Sequence, residues 1–319
     1  MYDIQNKKLR QLWPDHTMHE WFQRNPQTVV VGTRKGGTGK TITSVSFASF
    51  CASLGLRTAY LATDPNANGI LCLGLKSPRY VNEAGQGLYD ALINGDEWEP
   101  LEIEDELARP NLDIFGAGHW TAKARDILTA SRLDSYAKGG DLPHFADVLD
   151  QAQSKYHIVV VDTGADFANQ TEQDTLECAD LVISPTNTPD FEITGILGTV
   201  DTISAWFEIN EAEGEMPPVV ALLNNVDRSA TRLEREAREQ LEDAGIAVFD
   251  TRIGQSKADL QAMYKLGKTA FDLHPSINYL DDPSESKPRP GFTTGLHREL
   301  AEFGIEVMER LVATNKGIK

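Results

Sequence analysis

Three observations in the sequence predict an α/β fold, a doubly wound and mostly parallel sheet with helices on both faces. Short apolar, β-rich runs alternate with helix-patterned segments along most of the chain. Several runs, such as Ile158-Val159-Val160-Val161, are apolar at every position, as strands buried on both faces must be. A glycine-rich loop also follows the first run and leads directly into a helical stretch.

In chain order, the strand candidates are Thr28 to Val31, Thr58 to Leu61, Leu112 to Phe115, Ile158 to Val161, Leu181 to Ser184, Val219 to Leu223 and Ala247 to Phe249. Between them, Thr41 to Leu54, Phe145 to Gln153, Phe191 to Phe207 and Ala230 to Ala244 have the length and apolar spacing of helices, so right-handed crossovers account for the connections. Three segments fall outside this alternation. Residues 1–27 carry Leu9, Leu12, Trp13, Trp21 and Phe22 around Pro14, and read either as a short helical pair packed on the body or as a partner-binding arm. The acidic stretch Asp96 to Glu106 reads as solvated surface. Residues 274–292, rich in Pro, Ser and Asp, read as a long surface loop before a last helix from Thr294 to Val312. Residues 28–319 are thus expected to form one domain.

Bulk properties narrow the function. The 319 residues are 40% hydrophobic, enough for a full-sized core. No run of apolar residues is long enough to cross a membrane and the first ten residues are polar, so a cytoplasmic protein is expected. Cys51, Cys72 and Cys178 lie far apart among apolar neighbours and are read as buried thiols rather than as metal ligands or a disulfide framework. A formal charge of −18 opposes whole-surface attraction to nucleic acid, so any DNA contact requires a local basic patch.

The chemistry concentrates in Gly32-Thr33-Arg34-Lys35-Gly36-Gly37-Thr38-Gly39-Lys40-Thr41. Between a strand and a helix N-terminus, such a loop aims unpaired backbone N–H groups and the positive end of the helix dipole at phosphate oxygens. In the P-loop assignment, Lys40 sits on the β and γ phosphates and the Thr41 hydroxyl ligates Mg2+. Asp64 ends the second strand, where a carboxylate faces the ligand crevice of such a sheet; the plain alternative is a turn-forming Asp-Pro. Asp162 directly follows Ile158 to Val161, the Walker B arrangement in which an aspartate holds the metal directly or through water; the plain alternative is a helix cap.

Arg34 stands where the strict P-loop pattern has glycine, and Lys35 follows it. The run Lys35 to Thr41 resembles the deviant Walker motif, Lys-Gly-Gly-x-Gly-Lys-Thr, of the ParA/MinD family of dimeric ATPases, and the resemblance extends from about Thr28 to Phe271. It implies a P-loop fold, ATP and Mg2+ as ligands, and Gly36, Gly37, Thr38, Gly39, Lys40 and Thr41 around the phosphates. It also implies that Lys35 reaches across an ATP-dependent homodimer to the partner's phosphates, that Asp64 positions the attacking water, and that Asn224, with Asn225 competing, reads the adenine edge. Thr41 and Asp162 would form the metal shell. The chain departs from the family pattern at Ala62, where the second-strand Asp-x-Asp-Pro motif has its first aspartate, at Ile42, where a second hydroxyl is usual, and at Gly164, where proline is expected.

Family members use the ATP-bound dimer on DNA or membrane, with a partner protein that stimulates hydrolysis. The C-terminal segment here mixes Glu299, Glu302, Glu306 and Glu309 among its cations and suits anionic lipid poorly, so no membrane partner is expected. Thr251 to Lys268 instead holds Arg252, Lys257, Lys265 and Lys268 against only Asp259, with Arg228 and Arg232 nearby, a candidate nonspecific DNA face. The resemblance thus implies a ParA-like ATPase, nucleoid-associated, that positions or segregates plasmid, chromosomal or other cargo with a ParB-type partner. A weakly hydrolysing nucleotide-switched scaffold, or a MinD-like positioning ATPase on a protein or membrane surface, is the alternative. An iron protein would need paired cysteines, and a small-molecule kinase an acceptor motif, neither of which is evident.

Overall fold

The computed structural model describes residues 6–13, 18–66, 68–124, 126–127, 130, 145–164, 170–187, 190–209, 215–273 and 294–316. The expected alternation of strands and helices is present, with boundaries shifted by at most four residues. Strands β1 (Gln27–Val31), β2 (Thr58–Ala62), β3 (Leu112–Phe115), β4 (Ile158–Asp162), β5 (Leu181–Thr186), β6 (Val219–Leu223) and β7 (Ala247–Val248) form one seven-stranded sheet in the order β3-β2-β4-β1-β5-β6-β7. Every pairing within it is parallel. Because β1 lies between β4 and β5, the chain leaves it toward one edge for β2 and β3 and later fills the other edge with β5 to β7. A crevice at the carboxyl ends of the strands opens where the winding direction changes.

Side-chain alternation along each strand divides the core into two faces. Val29, Val31, Tyr60, Ala62 and Val160 point to one face, under α3 (Lys40–Ser53) and the long C-terminal helix α13 (Thr294–Lys316), with Phe47, Phe50 and Phe303 filling the space between. Val30, Ala59, Leu61, Val159 and Val161 point to the other, toward α6 (Gln86–Asn94), α7 (Phe145–Lys155) and α9 (Asp190–Ile209), where Leu88, Phe145, Leu149, Ile203 and Trp206 are buried. Helix α8 (Gln170–Glu177) lies beside α7, and α10 (Thr231–Asp243) covers β6 and β7 through Ala237 and Leu241.

The first residues form a helical pair, α1 (Lys7–Leu12) and α2 (Met18–Arg24). Asn6 caps α1 by accepting from the Lys8 and Leu9 amides at 3.1 and 3.2 Å. Leu9, Trp13, Met18 and Phe22 join the α3–α13 face, and His19 Nε2 donates to the Gly55 carbonyl at 3.0 Å. In the acidic stretch 96–106 the carboxylates are exposed, while Trp98 turns inward onto Phe115 and the Leu101 amide donates to the Ile114 carbonyl at 2.8 Å. The Pro-rich loop at 274–292 lies outside the described residues. Of the cysteines, Cys51 is buried inside α3, whereas Cys72 and Cys178 are partly exposed, which corrects the expectation of three buried thiols.

Short helices α4 (Asn68–Cys72), α5 (Pro78–Glu83), α11 (Lys257–Leu266) and α12 (Ala270–Leu273) complete the fold. Arg109, before β3, ties three of them together. Its Nε donates to Asp272 at 3.0 Å, Nη1 to the Leu73 carbonyl at 3.0 Å and Nη2 to the Gly267 carbonyl at 3.0 Å.

Candidate nucleotide-binding site

Residues 32–39 form the turn from β1 into α3. The Gly32 amide donates to the Ile183 carbonyl of β5 at 3.0 Å, which starts the loop at the crevice. Its next part rests on α9: the Arg34 amide donates to Thr199 Oγ1 at 3.0 Å, and the stem of Lys35 runs beside Gly195. Gly37 and Gly39 have φ of +79° and +92°, so the chain reverses sharply enough to expose the first amides of α3. No acidic residue occupies the first turn of α3, leaving its positive end uncompensated.

Lys40 is 8% exposed and its Nζ donates to the Lys35 carbonyl at 2.9 Å, so the ammonium is curled back over the loop it belongs to. Asn224, at the end of β6, closes the loop from the opposite side: its Nδ2 donates to the Thr38 carbonyl at 2.8 Å and its Oδ1 accepts from the Asn225 amide at 2.9 Å. Asn225 is exposed and left-handed, with φ of +54°, and its backbone forms the turn while Asn224 points inward. Thr38 Oγ1 is buried without a hydrogen-bond partner among the described residues.

On the α3 face of the sheet, Asp162 ends β4 directly across from Ala62 of β2 and Val31 of β1. It is 1% exposed, and Oδ2 accepts from the Tyr60 hydroxyl at 2.8 Å. Burial pushes the carboxyl up to about 6, opposed by the Tyr60, Thr41 and Ser44 hydroxyls, while the charge of Asp64 adds to the rise. Oδ1 is buried with no donor among the described residues. A buried, unpaired carboxylate oxygen is costly unless a cation or donor meets it. Together with the Thr41 hydroxyl, this oxygen fits a small divalent cation, which takes oxygen ligands.

Asp64 stands farther out at the crevice mouth. Its Oδ1 accepts from the Asn66 amide at 3.0 Å and from Asn66 Nδ2 at 2.8 Å, an Asx turn that fixes the start of α4. The structure therefore gathers Lys35, Gly36, Gly37, Thr38, Gly39, Lys40, Thr41, Asp64, Asp162 and Asn224 around one crevice. The cations proposed for DNA are placed differently. Arg228 makes a forked pair with Glu299, including 3.0 and 2.9 Å bonds from Nη2, Arg252 pairs with Glu234 at 2.8 Å, and Arg232 lies 3.6 Å from Glu236. Lys257, Lys265 and Lys268 are exposed along and just after α11.

Tyr60, Ser44 and Thr199 also belong to the site, although no motif in the sequence marks them. Tyr60 was legible only as one more buried strand residue; the clue is that it shares a strand face with position 62.

The chain matches a family model described as an AAA domain over residues 26–212. It is 24% identical over 177 residues to the sporulation initiation inhibitor protein Soj of Bacillus subtilis, covering 55% of this chain and 64% of that protein. It is 23% identical over 175 residues to the chromosome partitioning protein ParA of Myxococcus xanthus, covering 55% of this chain and 57% of that protein. The matches thus span less than two thirds of either relative. A solved ATP complex of Cyanothece McdA shares the fold, with a TM-score of 0.62 at 16% identity over 90% of this chain and 96% of that one.

Proposed function

Since the chain belongs to the ParA/MinD family of P-loop ATPases, we propose that it binds Mg2+·ATP in this crevice, dimerises on doing so and hydrolyses the nucleotide. The observation that carries the reading is the convergence of a lysine-bearing phosphate loop with a buried carboxylate whose Oδ1 has no donor among the described residues. In this reading the α3 N-terminus and Lys40 hold the phosphates. Thr41 and Asp162 hold Mg2+, which would neutralise charge on the β and γ oxygens. Lys35, presented at the loop surface against α9, crosses to the partner's phosphates in the dimer. Asp64 orients the attacking water, and Asn224 reads the adenine edge from its place beside Thr38.

We further propose that the ATP-bound dimer binds nonspecific DNA and positions cargo with a ParB-type partner, a reading in keeping with the chromosome-partitioning name of the ParA relative. Lys257, Lys265 and Lys268 are the cations best placed to meet phosphate, since Arg228, Arg232 and Arg252 already face carboxylates. One observation favours a slowly hydrolysing, nucleotide-switched scaffold instead: Ala62 offers no polar atom across from Asp162.

The test is binding to nonspecific duplex DNA with ATP, ADP or no nucleotide at two salt concentrations, for wild type and Lys40→Ala. ATP-dependent, salt-sensitive binding that Lys40→Ala loses supports the DNA-tethered ATPase. Absence of binding in every nucleotide state removes the DNA assignment. Turnover in wild type but not in Lys35→Ala separates an ATPase from the scaffold.

A further inference from the structure

Tyr60 has no role in the chemistry described so far, yet its hydroxyl ends on the carboxylate at the centre of it. The bond from Tyr60 Oη to Asp162 Oδ2 is 2.8 Å long, and both side chains are essentially sealed from solvent. Val29, Val31, Ala62 and Val160, which surround the pair on this sheet face, are apolar. A hydroxyl placed there loses its hydration, and phenylalanine would fill the same space without that cost. Among the described residues, Asp162 at 2.8 Å is the acceptor that repays the hydroxyl, with the Ser44 hydroxyl also close to it.

The strand register explains why a tyrosine is needed. The residue directly across from Asp162 on β2 is Ala62, which has nothing to donate. Tyr60 lies two residues earlier on the same strand face, so its ring spans the intervening pair and delivers a donor to Oδ2 from below. A second position agrees. An ideal Cβ on Gly69 of α4 would fall 1.9 Å from Tyr60 Oη and 2.7 Å from Cζ, so the ring fits in this pose only because residue 69 lacks a side chain. With glycine at 69 the ring reaches Asp162, so that Oδ2 is occupied while Oδ1 has no donor among the described residues.

We infer that Tyr60 is a positioning residue for the metal: by holding Oδ2 it fixes the Asp162 carboxylate so that Oδ1 and the Thr41 hydroxyl meet Mg2+. This inference rests on the reading of the crevice as a Mg2+·nucleotide site. A partner of this kind commonly contributes tenfold or more to metal affinity without touching the ion. The Ser44 hydroxyl lies near the carboxylate too, but it is shared with the Thr41 carbonyl at 3.0 Å, so the 2.8 Å bond from Tyr60 is the one that holds Oδ2.

The experiment uses the full chain and a fluorescent ATP analogue, first in chelator and then titrated with Mg2+, with Mn2+ electron paramagnetic resonance as a direct readout of metal capture. For Tyr60→Phe, nucleotide binding in chelator is expected to match wild type, while half-saturating Mg2+ rises about 10–100-fold and Mn2+ affinity falls in step. Gly69→Ala, which displaces the hydroxyl while leaving it in the chain, is expected to give the same metal defect and carries the test should Tyr60→Phe fail to fold. A Tyr60→Phe protein that melts earlier but keeps the wild-type Mg2+ and Mn2+ dependence shows a merely structural bond and overturns the inference. Wild type that binds nucleotide without any Mg2+ dependence removes the site reading itself, a result distinguishable from the first because it appears before any substitution.

Discussion

Asn224 Nδ2 and the Thr38 carbonyl, 186 residues apart in sequence, are joined by a 2.8 Å hydrogen bond that ties β6 to the phosphate loop. The bond passes directly beside Gly39, where an added Cβ would lie 2.0 Å from Asn224 Nδ2 and φ is already +92°. Gly39→Ala is therefore expected to break the clamp and strain the turn by about 1–2 kcal/mol. Titration calorimetry should show ATP affinity reduced about tenfold or more. Asn224→Ala, which loses one hydrogen bond worth about 0.5–1.5 kcal/mol, should have a smaller effect. Undiminished affinity in Gly39→Ala would mean the loop does not bind nucleotide in this conformation.

Arg109 should matter for stability rather than chemistry. Its guanidinium is 10% exposed, pairs with Asp272 at 2.9 Å and satisfies carbonyls at Leu73 and Gly267. Arg109→Ala takes the cation from Asp272, which keeps the Thr269 amide, and the donor from both carbonyls, a loss of about 3–5 kcal/mol measurable as a lower denaturant midpoint. Arg109→Lys cannot reproduce the fork and should recover only part of it.

Asp180 carries a buried charge whose removal should help at neutral pH. Burial raises its carboxyl from 3.8 to about 6, against the Thr28 amide that donates to Oδ2 at 2.7 Å. Because the folded state takes up the proton first, the unfavourable contribution is present above pH 6 and disappears as pH falls through 6 toward 3.8. Asp180→Asn keeps an acceptor for Thr28 and should stabilise the protein by about 1–3 kcal/mol at pH 7.5. Near pH 3.8 the gain should vanish; thermal melts across that range that show a constant difference would contradict the assignment.

His157 has the opposite sign. Burial, reinforced by the charge of Arg57 and by His19, lowers it from 6.5 to about 4, and its Nδ1 accepts from the Arg57 amide at 3.1 Å. The neutral ring therefore stabilises the fold fully above pH 6.5, and this contribution is lost as pH falls toward 4. His157→Gln retains an acceptor but cannot titrate, so its melting temperature should fall less steeply than wild type between those limits. Parallel melting curves would count against a neutral, buried His157.

Much of this architecture was legible in the chain. The strands were visible because apolar runs such as Ile158 to Val161 satisfy a local pattern, and strand–loop–helix geometry around Lys40 depends on neighbours within a dozen residues. Boundaries moved where tertiary partners extend an element. β5, for example, continues past Ser184 to Thr186 because Pro185 and Thr186 pair with Leu222 and Leu223 of β6. The cations that cluster along the sequence as a basic face are, by contrast, partly neutralised by the fold, since Glu299 reaches Arg228 from 71 residues away.

The sequence by itself determined the α/β alternation, the phosphate loop and the two carboxylates at strand ends, because periodicity, glycine and strand termini act over short range. Only the tertiary structure decided the strand order, the closure of the loop by Asn224, the pairing of the arginines and the contact of Tyr60 with Asp162. Each of these is a meeting of groups distant along the chain, fixed by sheet register and helix packing, and no local pattern of residues encodes which distant partner will arrive.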